Sequence, residues 1–317
     1  MFKQDKYIIS ALVVAALVCM IIFLTYQTQG KWSYVLTLRG TKIIGLVLIA
    51  IAIASSTIVF HTISHNRIIT PSIMGFDALY IFIQTVLIFF LSVQEIQSIS
   101  PTLRYFINLA LMIAVFISLF YFLFLRSNRS IFLLALTGIV MGIFFRSMTN
   151  FMIRLLDPDS FSTIQGLLFS SFGSISNELL SISALLIFIC LVIIYKVRFQ
   201  LDILALGREK AIILGVNYKK LVFMLLTIIA ILVSVSTALV GPITFFGLLV
   251  SNLAYLIIKN QNHVNLLVTA CLIAIITLLV GQFTFEKLLE LQGTLSVVIE
   301  CLGGITFIWI LLRTHKR

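Results

Sequence analysis

Four ionisable residues fall inside or at the edges of long apolar runs in this chain: Asp77, Arg146, Glu178 and Glu300. Charged groups in such runs are expensive to bury and mark either ion pathways or polar contacts facing the interior of a helix bundle. A proton relay needs them near mid-run, and only Glu300, about two turns into its run, lies that deep. Glu300 therefore reads either as a coupling acid or as a bundle-facing or snorkelling group. The four histidines, at positions 61, 65, 263 and 315, form no HExxH pair or His-rich cluster. The sequence contains no GxxxxGK[ST] phosphate loop and no GxSxG nucleophile elbow. Cys19, Cys190, Cys271 and Cys301 form no close-spaced pair and read as small hydrophobes. Metal catalysis, nucleophilic catalysis and ATP hydrolysis by a phosphate loop thus have no residues to carry them. No enzyme activity, directly bound cofactor or bound metal is expected.

A second stretch bears charge for a different reason. In LALGREKAIILGVNYKK (204–220), the apolar Leu204, Leu206, Ala211, Ile212, Ile213 and Leu214 are interleaved with Arg208, Glu209 and Lys210. Gly207 interrupts the segment before the charges, and Gly215 stands where a left-handed cap ends a helix of about two turns. So short a helix is marginal alone in water and needs something to pack against. The pattern leaves two surfaces open, lipid headgroups or a partner chain.

The elements that must position these residues are long apolar helices. The chain is 61% hydrophobic and 10% charged, whereas soluble domains are about 45–50% apolar and about 25% charged. Crossing a bilayer takes about 20 apolar residues per helix. The runs predict an all-α polytopic membrane protein with ten transmembrane helices, near 7–26, 43–63, 72–91, 104–125, 131–153, 178–196, 220–239, 243–258, 264–282 and 295–312. The first run follows Lys3 and Lys6 but lacks a small-residue cleavage site, so it reads as a retained span. With ten spans, both termini share a side, and that side carries fifteen of the 22 Lys and Arg residues. The positive-inside rule puts that side, and the basic loop 197–219, in the cytoplasm. The net charge of +11 is scattered over short loops and does not form a nucleic-acid-binding face. On the outer side, 157–176 is too polar to cross but has helical spacing around Ile164, Leu167 and Leu168, which predicts a short surface helix. The whole chain, 1–317, is expected to be one transmembrane domain, with any soluble machinery on partner chains.

Five segments resemble one family. LALGREKAIILGV is similar to the LxLGxxxAxxLGV signature of the FecCD family, the permease subunits of iron–siderophore and cobalamin ABC importers. LRGTK (38–42) resembles the family's LRLPR, and HNRIITPSIMG (65–75) its RNPLADPxxLG. GPITFFGLLVSNLA (241–254) resembles GPIGFVGLVVPHIA, and LSVVIECLGGITFIWILLR (295–313) resembles GVVTALIGAPFFLYLLLR. The five occur in family order along nearly the whole chain. Departures occur at Thr41, Lys42, Ser251, Asn252 and Tyr255, which point to a divergent subgroup.

The resemblance implies a type II ABC importer permease of the inner membrane that moves a ferric siderophore, of catechol type. Permeases for cobalamin or haem, or an ion-coupled secondary carrier, are the alternatives. It implies a second permease subunit, identical or paralogous, and two ATPase subunits that hold the ATP and Mg. It also implies an extracytoplasmic substrate-binding protein. Leu206, Gly207, Arg208, Glu209, Lys210, Ala211, Leu214, Gly215 and Val216 become the ATPase-coupling segment. Arg39 and Lys42, with Lys287 in the last outer loop, become candidates for docking the binding protein. Lys42 keeps the charge of the family's arginine without its bidentate fork. Ser55, Ser56, Ser234 and Thr237, with Ala50, Ala54 and Ser236, are small or hydroxyl-bearing and suit a translocation path or close helix packing.

Overall fold

The computed structural model describes residues 3–26, 32–91, 93–126, 131–167, 177–258, 262–288, 298–301 and 303–305. The described residues are mostly helical and form thirteen α-helices. In chain order these are α1 (Lys3–Thr25), α2 (Trp32–Ser64), α3 (Phe76–Phe90), α4 (Val93–Ser98), α5 (Pro101–Phe120), α6 (Ile131–Ile153) and α7 (Pro158–Leu167). They continue as α8 (Asn177–Lys196), α9 (Arg198–Leu204), α10 (Arg208–Ile213), α11 (Tyr218–Val240), α12 (Phe246–Ile257) and α13 (His263–Phe283). Residues 298–301 and 303–305 of the last apolar stretch are also helical.

Seven of these helices are long and apolar enough to cross a membrane: α1, α2, α5, α6, α8, α11 and α13. The protein is a multi-pass membrane protein. α2 and α11 form its centre, with 78% and 72% of their most apolar windows buried, against 11% for α1. α11 packs on α2, α3, α5 and α8, and α13 packs on α1, α2 and α12. With little hydrophobic gain to be had between helices in lipid, close packing must hold such a bundle, and small residues permit it. Ala50, Ala54, Ser55 and Ser56 of α2 and Ser234, Ser236 and Thr237 of α11 are all buried in this central region.

Two apolar helices are shorter than the sequence predicts. α3 begins at Phe76 rather than near 72, and α12 covers 246–257 rather than 243–258. At about 1.5 Å per residue they span roughly 22 and 18 Å, short of a hydrocarbon core of about 30 Å. Tertiary contact explains the first. Pro71 starts a single 3₁₀ turn, Ser72–Met74, and Gly75 turns into α3 with φ +98°. A Cβ on Gly75 would lie 2.8 Å from the Gly142 Cα, so two glycine backbones are in direct contact where α3 starts against the middle of α6. For the second, Gly241 ends α11 at φ +95°, and Pro242 prevents the helix from continuing. Irregular backbone at membrane depth persists only where protein buries it or where it borders a water-filled space.

Local capping fixes the other starts. The Ser100 side chain accepts from the Leu103 N–H at 3.3 Å, with Pro101 opening α5. Asn217 and Asn262 do the same for α11 and α13. The surface helix read from 157–176 is α7, whose start is held by the Ser160 N–H donating to Asp157 at 3.1 Å. The hydrogen bonds from Ser160 hold the exposed Asp157 carboxyl below the usual carboxylate range.

Candidate functional site

The two irregular segments meet at a cavity of ≈ 910 Å³ near the α7 end of the bundle. Ile73, Asp77, Ala78 and Ile81 line it from the start of α3, and Pro242, Thr244 and Phe245 from the break before α12. Arg146, Thr149, Asn150, Ile153 and Arg154 line it from α6 and its end, Phe161 and Gln165 from α7, and Glu300 from the last apolar stretch. Arg146 and Asn150 follow at i and i+4 on one face of α6, and Arg154 stands just past its end. All three are exposed in the single chain.

The charges around this cavity are held apart. Asp77, Glu300 and Arg146 lie within electrostatic reach of one another, yet no salt bridge links them among the described residues. The two Asp77 carboxylate oxygens are buried. The Thr237 and Thr244 side chains stand beside them, but neither oxygen closes a hydrogen bond of ordinary distance and angle. Asp77 occupies the first turn of α3, where the helix dipole favours a negative charge.

The opposite end is built the other way. α10 is bracketed as the sequence predicts, by Gly207 at φ +104° and Gly215 at φ +83°. The Val216 N–H bonds to the Ala211 carbonyl and the Gly215 N–H to that of Ile212, both at 3.0 Å, which is a Schellman cap. Leu204 and Ala211 are fully buried and anchor the segment, and Val216 packs half-buried against the same core. Leu206, Ile212, Ile213 and Leu214 are exposed, Ile213 by 83%, beside the exposed Arg208, Glu209 and Lys210. The Arg208 guanidinium also lies 5.5 Å from the Tyr218 ring centroid.

α9, which leads into α10, is clasped to the bundle by a group that the sequence reading does not bring together. The His263 backbone N–H and ring Nδ1–H both donate to Asp202 Oδ1, at 3.0 and 2.5 Å. His263 Nε2 meets the Thr62 hydroxyl at 2.8 Å, and that hydroxyl also lies 3.0 Å from the Ile58 carbonyl. Acid, imidazole and hydroxyl follow the order of a hydrolase triad. Thr62, however, is buried in the last turn of α2, and the cavity at the far end does not reach it. The arrangement is a brace joining α9, α13 and α2.

The remaining predicted residues take intramolecular positions. Arg39 donates to the Phe23, Leu24 and Tyr26 carbonyls at 3.2, 3.2 and 2.6 Å, closing the end of α1. Lys42 pairs with Glu286, to which Gln282 also donates at 2.6 Å. The Lys287 side chain lies outside the described residues. Glu178 accepts from Thr102 at 3.3 Å. Ser56 donates to the Ile53 carbonyl, Ser55 lies 3.5 Å from the Cys271 sulfur, and neither they nor Ser234 or Thr237 line the cavity. The departure at Tyr255 has a structural counterpart: Arg67 lies over its ring at 4.1 Å, with His61 stacked against it at 6.0 Å.

A model of the FecCD transport family matches residues 6–313. The chain belongs to the FecCD transport family. Within the family it is 43% identical over 313 residues to the petrobactin import system permease protein YclO of Bacillus subtilis, covering 99% of both chains. It is 33% identical over 277 residues to the petrobactin import system permease protein FatC of Bacillus anthracis, covering 87% of this chain and 78% of that one. A solved metal-chelate type ABC transporter, in an inward-facing conformation, superposes with a TM-score of 0.81 at 20% identity. The superposition covers 97% of this chain and 99% of the other, which establishes a common fold.

Proposed function

We propose that the chain is the permease subunit of a bacterial ABC importer that carries a ferric siderophore across the cytoplasmic membrane, driven by a separate ATPase. The observation that carries this reading is the 43% identity to a petrobactin import permease across 99% of both chains. The chain crosses the membrane ten times, by the seven long helices, the short α3 and α12, and the stretch 295–312. Its termini and the α10 end face the cytoplasm. α10 with its exposed apolar residues is the surface on which an ATPase subunit seats. Its braced elbow transmits ATPase closure to α2 and α13. The binding protein docks on the face carrying Arg39, Lys42 and Lys287.

The cavity is one wall of the translocation path, completed by a second permease subunit, identical or paralogous. The exposed Arg146 of α6 supports this. A charged side chain in the centre of a membrane helix costs about 2.5–3.5 kcal/mol against lipid, so water or protein must cover that face. No group on this chain needs ATP, Mg or a metal for this role.

The test is iron uptake in a strain lacking the gene. Deletion abolishes ATP-dependent uptake of one class of ferric chelate, and the intact gene restores it. Gly215→Pro, or charge reversal at Arg208 and Lys210, restores membrane insertion but not uptake. Uptake that persists without any ATPase subunit, and stops when the proton gradient is collapsed with ATP intact, would overturn the reading in favour of an ion-coupled carrier.

A further inference from the structure

We propose that Arg146 and Arg154 select an anionic metal chelate, and that Asp77 and Glu300 weaken its hold at the deeper arginine so that it moves on. This inference rests on the permease reading and names the chemistry of its cargo and the residues that read it.

Three observations converge on it. First, Arg146 lines the cavity from the last third of α6 and Arg154 from the turn just beyond its end. Neither takes part in an ion pair among the described residues. Guanidinium groups beside the cavity that form no ion pair among the described residues are donors available to an acceptor. Their planar fork suits carboxylate, catecholate or phosphate oxygens. Second, α3 and α12 both begin at the cavity, through Ile73–Asp77 and Thr244–Phe245. Helix N-termini carry partial positive charge and exposed N–H groups, so both favour an anion in the same space. In a membrane interior, half-length helices commonly meet cargo in this way.

Third, the two arginines differ in their neighbours. Arg146 acts electrostatically on both Asp77 and Glu300, whereas Arg154 stands past the end of α6, in the turn that leads to α7. Arg154, at the mouth, offers its whole charge to an incoming anion. Arg146, deeper, shares its charge with two acids, one of which is fully buried with no closed hydrogen bond. An anion therefore meets a strong site first and a weaker one next. A descending series of this kind lets cargo enter without being trapped.

The test uses the purified permease–ATPase complex without binding protein. Equilibrium binding is measured for a ferric tris-catecholate of charge 3− and for a neutral ferric trihydroxamate, with uptake measured in proteoliposomes of the complete importer. Arg154→Gln weakens binding of the anionic chelate about tenfold and Arg146→Gln about threefold. Both leave binding of the neutral chelate within twofold, and Arg154→Lys recovers part of the loss. Asp77→Asn and Glu300→Gln tighten binding of the anionic chelate and slow its uptake, a combination that a merely structural role does not produce. The proposal is overturned if the wild-type complex does not prefer the anionic chelate, or if the arginine variants bind it as tightly as wild type. Equal loss of both chelates also overturns it. If the wild-type importer carries no chelate when ATP is supplied, the permease reading fails as well; if it does, only the charge selection is lost.

Discussion

The two ends of the bundle treat charged residues in opposite ways. At the α10 end, Asp202, His263 and Thr62 meet at 2.5–3.0 Å, and both ring nitrogens of His263 have a partner. At the α7 end, Asp77, Glu300, Arg146 and Arg154 surround a cavity of ≈ 910 Å³ without a single ion pair among the described residues. Burial of polar groups is stabilising only when they are satisfied, and an unsatisfied buried group costs about 1–3 kcal/mol. A brace must therefore be paired, whereas a site that takes up and releases a charged cargo must leave its charges unspent. On the proposed reading, the same kinds of side chain do mechanical work at one end and recognition at the other.

That contrast breaks most sharply where the cavity wall is fixed. Gly75 adopts φ +98° with its missing Cβ 2.8 Å from the Gly142 Cα. Gly75→Val adds a branched side chain in a left-handed conformation against backbone that has no room to yield. Strain of about 1–2 kcal/mol from the conformation and about 1–3 kcal/mol from overpacking add here. We expect little correctly inserted protein and a collapsed detergent melting transition. A variant that melts like wild type would show that the start of α3 is free to move and that the cavity is not preformed.

The brace comes next in size. Asp202→Ala leaves the buried His263 ring N–H and backbone N–H without their acceptor and should cost about 2 kcal/mol. Thr62→Val removes one bond on the other side of the ring and should cost about 1 kcal/mol. Because both act through His263, the double variant should depart from additivity by more than 0.5 kcal/mol. Thermal melts of the four proteins in detergent decide this. Strict additivity would reduce the brace to two unrelated contacts and remove the mechanical half of the comparison.

What the sequence shows and what it hides follow the same division. Local features were legible: the glycine brackets of α10, the polar amphipathic stretch that becomes α7, and the apolar runs that become the seven long helices. Family motifs placed the chain in its family before any geometry was known. Contacts between distant residues were not legible. His263 lies 61 residues from Asp202 and 201 from Thr62, and no local pattern brings them together. The shortness of α3 depends on a glycine 67 positions away in α6. The hydroxyl-bearing residues of α2 and α11 suited a path or packing; they are buried in helix contacts, with Thr237 beside Asp77 at the cavity wall. Arg146, Asn150 and Arg154 did carry a signal, a polar stripe at i, i+4 and i+8 along an apolar span. Of the three, the sequence alone singles out only Arg146, as a charge at the edge of an apolar run.

The smallest expected effect on stability is the most diagnostic. Arg154→Gln removes an exposed charge that forms no ion pair among the described residues, so no such partner is left stranded. Its melting free energy should change by no more than about 0.5 kcal/mol, the range of surface substitutions. Asp202→Asn at the other end, a comparably conservative change, should cost more, because it weakens a charge-assisted bond inside the brace. If the order is reversed, Arg154 is a structural cation with a partner on this chain, and the cavity is a packing defect rather than a site. If the order holds while anionic-chelate binding falls only in the cavity variant, stability and recognition are separated to opposite ends of one bundle. A machine that transmits force through one end and releases cargo from the other requires that separation.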